Sequence, residues 1–248
     1  MNSIVGVVIY NEEGKLKSLL YRFNEVLKQE NYTVLFVNDG STDGTNEELK
    51  EFIDQLSPLQ RKKIHLITHK INKGVGFAIK TILDFGMRSN KDVVVIMAGN
   101  GKDNPLEIPR LIKPIREEGY DYIQGSRFLL GGSYTNLPFL RKMMIRSYTL
   151  FMNLVTGFWG TDATNGFRAY KLSLFTDKRI KINQSWLERY ELETYLHCKV
   201  ISLGYKIKEV SVSKNYIPKV KSYSKIKPFS DWWRIMRPIF LLKLGIKS

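Results

Sequence analysis

Four polar clusters hold the side chains from which this chain could build chemistry, and each follows a short run of apolar residues. They are Tyr10-Asn11-Glu12, Asp39-Gly40-Ser41-Thr42-Asp43-Gly44, Asn72-Lys73-Gly74-Val75-Gly76, and Ala98-Gly99-Asn100-Gly101-Lys102-Asp103-Asn104-Pro105. An aspartate in a glycine turn can accept hydrogen bonds from a base edge or from ribose hydroxyls. Such turns also serve simply as helix caps. The glycines of the third cluster suit a phosphate-binding loop, although its spacing is neither that of a P-loop nor that of a dinucleotide fingerprint. In the fourth, Asn100 offers a neutral oxygen to a hard cation and Asp103 a charged one.

The surrounding pattern says what positions these clusters. Apolar runs at 4–10, 32–37, 64–68 and 93–97 read as strands. Between the first two, Leu16, Leu19, Leu20, Phe23 and Leu27 recur at helical spacing, and further helices are expected at 46–56 and up to Arg88. A βαβαβαβ series of this kind predicts an α/β fold with a mostly parallel central sheet flanked by helices. Strand ends of a parallel sheet share one edge, so the four clusters converge on one crevice.

The second half is less regular. Helices are expected at 109–118, 139–158 and 187–203, strands at 122–124 and 205–212, and loops at 129–138 and 162–168. A basic segment with Lys214, Lys219, Lys221, Lys225 and Lys227 precedes Trp232, Trp233 and an apolar tail.

Composition narrows the function classes. A chain of 248 residues, 43% hydrophobic, buries a proper core as one large domain. One cysteine, Cys198, excludes an internal disulfide, and three scattered histidines argue against a zinc site. The net charge of +15 implies an anionic partner. Nucleic acid is disfavoured, because the basic residues form no known reading motif. The N-terminus reads as lacking a signal peptide, and no window has the length of a spanning helix.

The four clusters, in that order, resemble the inverting glycosyltransferases of family two, which have the GT-A (Rossmann-like) fold, and among them the polyprenyl-phosphate (dolichol-phosphate) sugar transferases. Later residues extend the likeness over 1–226: Gly125-Ser126-Arg127, Asp162 with Gly166-Phe167-Arg168, Tyr190-Glu191-Leu192-Glu193, the strand after Gly204, and Tyr216 with Lys219, Ser222, Ser224 and Lys225. The resemblance implies a catalytic domain over 1–226 and a basic, aromatic, membrane-interfacial segment over 227–248. It implies donor contacts from Tyr10, Asn11, Glu12, Asp39, Ser41, Asn72, Gly74, Gly76, Gly99 and Asn100. Arg127, Arg141 and Lys219 would face an acceptor phosphate, and Asp162, Glu193 and Arg127 would act at the reacting centre.

The departure from the family is at its metal-binding Asp-x-Asp, where this chain has Ala98-Gly99-Asn100. Asn100 and Asp103 are the candidates to hold Mg2+ or Mn2+; alternatively Lys102 partly replaces the metal, or catalysis is lost. The expected reaction moves a sugar from a UDP- or GDP-sugar to polyprenyl phosphate, on the cytoplasmic face of an anionic membrane. The alternatives are transfer to a surface glycan or lipid-linked saccharide, and a catalytically weakened scaffold.

Overall fold

The computed structural model describes residues 1–29, 32–216 and 230–247. Seven strands form one sheet in the order β3-β2-β1-β4-β7-β5-β8. They are β1 (Ser3–Ile9), β2 (Thr33–Asn38), β3 (Ile64–Thr68), β4 (Val93–Ala98), β5 (Tyr122–Ser126), β7 (Arg168–Lys171) and β8 (Ile207–Ser211). The first four are mutually parallel, whereas β7 runs antiparallel to both β4 and β5. A separate two-stranded ribbon joins β6 (Ser133–Thr135) to β9 (Ser213–Asn215). The chain leaves β1 toward β2 and β3, then returns to place β4 on the other side of β1. The crevice between the carboxyl ends of β1 and β4 is therefore the topological switch point.

The core follows from strand alternation. Val5, Val7 and Ile9 of β1 and Val93, Val95 and Met97 of β4 face α1 (Leu16–Gln29), α2 (Thr45–Gln55) and α5 (Ile108–Glu117). Ile4, Val94 and Ile96 face α4 (Val75–Arg88) and α7 (Glu191–Ser202) on the opposite side. Helices on both faces explain why these strands are apolar on both faces. The short α3 (Pro58–Arg61) begins with a Ser57–Gln60 capping box.

Two expected loops contain strands. β6 lies within 129–138, and β7 begins at the end of 162–168. Strands of three and four residues are too short for alternation to stand out, and their pairing comes from neighbours far away in sequence. The C-terminal segment also differs from a detached tail. Helix α8 (Ser230–Lys243) packs Trp232, Ile235, Met236 and Ile239 into a cluster with α6 (Phe139–Thr156) and Cys198 of α7. The buried Glu191 carboxylate holds it there through Arg237 at 2.9 Å.

On β5, Tyr122 Oη contacts His197 Nδ1 at 3.1 Å, with both groups buried. Burial, aided by the Arg168 charge, pushes the His197 imidazole down to about 3. Between about pH 6.5 and about 3 the unfolded chain takes up a proton that the folded chain refuses, so stability falls with pH across that window. His197→Gln is expected to flatten this part of the stability–pH curve in urea unfolding; an unchanged slope would contradict a neutral buried imidazole.

Candidate active site

A cleft of about 1030 Å³ opens at the switch point. Its walls include Tyr10, Asn11 and Glu12 after β1, Asp39 after β2, Asn72 and Gly74 before α4, and Asn100 and Lys102 after β4. From the second half come Arg127, Arg141, Glu193, Lys214 and Tyr216. All four strand-end clusters thus reach one space.

One end is organised by Asp39. Its carboxylate accepts from the backbone N–H groups of Lys73 (3.1 Å) and Gly74 (2.7 Å) and from Asn72 Nδ2 (3.0 Å), and contacts His69 Nδ1 at 2.7 Å. With four partners, Asp39 shapes the 72–74 loop more than it offers oxygens to a ligand. Gly74 has φ +105°, and a Cβ there would sit 2.6 Å from the Glu188 carbonyl, so the loop requires glycine. On the neighbouring turn, Asn11 adopts φ +48°, held by its own carboxamide accepting from Thr42 N at 2.8 Å. Ser41 reaches this turn from behind, its Oγ accepting from Asn11 N at 2.9 Å.

The other end is organised by a buried ion pair. Arg127 donates from Nε to Asp162 Oδ2 at 2.6 Å and from Nη2 to Asp162 Oδ1 at 2.7 Å. The same guanidinium donates to Thr164 Oγ1 at 2.7 Å and to Tyr216 Oη at 2.5 Å. Burial alone would lower the Arg127 pKa, but the hydrogen bonds and charge of Asp162 outweigh it and raise it. The Tyr216 ring, fixed this way, has Lys102 Nζ at 5.4 Å and the Arg141 guanidinium at 5.3 Å from its centroid.

Lys102 is crowded by like charge. Burial first, then Arg141 and Lys214, push its ammonium down to about 8, against the pull of Glu12. Lys15, also on the cleft wall, pairs with Glu12 at 3.0 Å. Sequence reasoning did not single out Lys15; its spacing three residues beyond Glu12 at a helix start was the available signal.

The structure corrects several expected contacts. Asp162 is fully buried and committed to Arg127, which leaves no carboxylate oxygen for a substrate proton. Arg127 lines the cleft but is itself only 3% exposed, with most of its donors occupied. Gly76 abuts the Leu187 carbonyl and Gly99 the Ile9 side chain, so both serve packing behind the wall. Lys219 lies outside the described residues. Glu193 stands on the cleft wall, and its carboxylate has no hydrogen bond or ion pair among the described residues.

A divalent cation does not fit the side chains after β4. Asp103 is fully buried behind the cleft, with Oδ1 on Lys214 Nζ at 2.8 Å. Asn100 Oδ1 already accepts from Lys102 N at 3.2 Å, and it is a neutral ligand. Among the described residues, no three His, Cys, Asp or Glu side chains gather as a metal site. Hard cations favour charged oxygen donors, and here the charge beside Asn100 is a lysine.

Comparisons with known proteins identify the family and the fold. The family model described as Glycosyl transferase family 2 matches residues 4–177. The polyprenol monophosphomannose synthase of Mycolicibacterium smegmatis is 26% identical over 211 residues, 85% of this chain and 76% of that protein. A UDP-N-acetylglucosamine–dolichyl-phosphate N-acetylglucosaminyltransferase of Methanococcus voltae is 26% identical over 244 residues, 95% of this chain and 94% of its own. Among solved structures, glucosyl-3-phosphoglycerate synthase of Mycobacterium tuberculosis, in complex with Mn2+, UDP and phosphoglyceric acid, superposes with a TM-score of 0.69 at 16% identity. That match covers 100% of this chain and 80% of the other, and identifies the GT-A architecture.

Removing one partner of a buried ion pair leaves the other charge uncompensated. Asp162→Asn is therefore expected to cost about 3–5 kcal/mol in stability, seen as a lowered melting temperature. A variant that melts like the wild type would contradict the structural role assigned to Asp162.

Proposed function

Because the chain belongs to glycosyl transferase family 2, we propose that it transfers a sugar from a nucleotide-sugar to polyprenyl phosphate with inversion at the anomeric carbon. The observation that carries this reading is the make-up of the cleft. One end is a glycine loop held by Asp39; the other gathers Arg141, Lys214 and Lys102 beside the apolar residues Leu140, Met144 and Ile145 of α6. An anionic head with a hydrocarbon chain suits that second end. The two relatives described above are named for transfer to polyprenol or dolichyl phosphate, which supports the same acceptor class.

The chemistry asks little of an acid–base group. An acceptor phosphate is already ionised, so its oxygen attacks the anomeric carbon directly once cationic side chains orient it. The new carbon–oxygen bond forms as the bond to the nucleoside diphosphate breaks, and the electron pair leaves with the diphosphate oxygen. Attack opposite the leaving group inverts the centre. Negative charge grows on the departing diphosphate and has to be met by fixed positive groups.

A surface for the lipid lies close by. Phe139, Leu140, Met143, Leu150 and Leu154 of α6 are exposed, with Trp159 just beyond its end, and Lys142 and Arg146 lie on the same helix. Among the described residues no helix is long and apolar enough to cross a membrane. Exposed apolar side chains interleaved with cations suit peripheral attachment to an anionic leaflet.

Glu193 supports a second reading. An unpaired carboxylate in the cleft would serve as general base if the acceptor were a sugar hydroxyl. Incubation with radiolabelled UDP- and GDP-sugars and polyprenyl phosphate is expected to yield an organic-extractable product with one donor. Glu193→Gln is expected to retain at least a tenth of that transfer. A loss of about 100-fold or more, or label appearing only in a saccharide, would favour the hydroxyl acceptor. Absence of transfer together with no thermal stabilisation by any nucleotide diphosphate would favour the scaffold.

A further inference from the structure

We propose that Lys102 occupies the role that a divalent cation would otherwise fill, so that the leaving diphosphate is neutralised by side chains of the protein alone. The inference rests on the donor assignment proposed above. It begins with position. Lys102 follows β4 at the switch point, in the strand-end loop that faces the Asn11–Glu12 turn, and it lines the same wall as Ala98 and Asn100. Its backbone is anchored on both sides: its N–H donates to Asn100 Oδ1 at 3.2 Å, and its carbonyl accepts from Asn215 N at 2.9 Å. The side chain is thereby delivered to a set place without a metal to organise the loop.

The charge around it points the same way. Lys15, Arg141 and Lys214 line the cleft with Lys102, and all three oppose its charge. Glu12 offsets part of this, but it is also paired to Lys15. Four cations line one half-buried space, two of them paired to acids (Lys15 to Glu12 and Lys214 to Asp103), and the set attracts an entering anion that carries more than one charge. Asp103 would have supplied the acidic group for a metal here. Instead it is turned inward, where it anchors Lys214 at 2.8 Å and leaves Lys102 as the charged group of the loop after β4 on the cleft wall. A diphosphate entering the cleft meets the cations directly. As the bond between the anomeric carbon and the diphosphate oxygen breaks, the electron pair arriving on that oxygen is stabilised by the Lys102 ammonium, with no proton transfer required.

The test is equilibrium binding of UDP and GDP to the full chain by calorimetry, in excess EDTA and in Mn2+, with thermal unfolding of each protein. The wild type is expected to bind one of the two in EDTA with an affinity within threefold of that in Mn2+. Lys102→Met is expected to weaken that binding about 10- to 100-fold while leaving the nucleoside, which lacks phosphate, bound as before. The same substitution relieves repulsion and should raise the melting temperature of the ligand-free protein by about 2–4 °C, whereas loss of a merely structural residue would lower it. Lys102→Arg is expected to restore most of the affinity. Binding that needs Mn2+, or a Lys102→Met protein that binds the diphosphate normally, would overturn the inference and leave the transferase reading standing. If neither diphosphate binds under either condition, the donor assignment falls, and the inference falls with it.

Discussion

The bidentate pair between Arg127 and Asp162 is the interaction on which the basic end of the cleft depends. It joins the end of β5 to the loop before β7, beyond the last paired residues of the two strands. Its remaining donors fix Tyr216 and Thr164. Tyr216 in turn presents its ring to Lys102 and Arg141. One ion pair, far from exposed solvent, therefore sets the geometry of two cleft cations without touching a substrate. A buried pair contributes little net stability when complete, yet its disruption is costly, and that asymmetry suits a positioning element.

The cleft also illustrates stability given up for binding. Asp39 is fully satisfied by the loop it holds, and Asp103 is turned inward with its Oδ1 on Lys214. The lowered pKa of Lys102 comes first from burial and then from the neighbouring Arg141 and Lys214, against the pull of Glu12. A site in which the acids are spent on architecture and the bases are left facing the cavity is preorganised for an anion with more than one charge. Exposed apolar residues of α6 lie beside it.

Much of this arrangement was legible in the chain. The β-branched runs of β1, β2 and β4 are buried on both faces, so they read as parallel strands without ambiguity. Because parallel strand ends share an edge, the convergence of Glu12, Asp39, Asn72 and Asn100 follows from order alone. What escaped notice depends on contacts distant in sequence. Asp162 was expected at the reacting centre because its partner Arg127 lies 35 residues away, and Asp103 looked like a metal ligand because Lys214 lies 111 residues away. Strand β7 pairs antiparallel between β4 and β5 through only four residues, a tertiary choice that local pattern does not record. The tail helix carries arginines and tryptophans suited to a membrane, yet its docking on α7 depends on the buried Glu191–Arg237 pair.

With the leaving diphosphate neutralised by fixed lysine and arginine side chains, as proposed, sugar transfer needs no divalent cation. The most direct measurement is the single-turnover rate of sugar transfer to polyprenyl phosphate, at saturating donor, across a titration from excess EDTA to millimolar Mn2+. The account predicts a rate that stays level within about threefold over the whole titration. A rate that is absent in EDTA and rises in proportion to Mn2+ would contradict it.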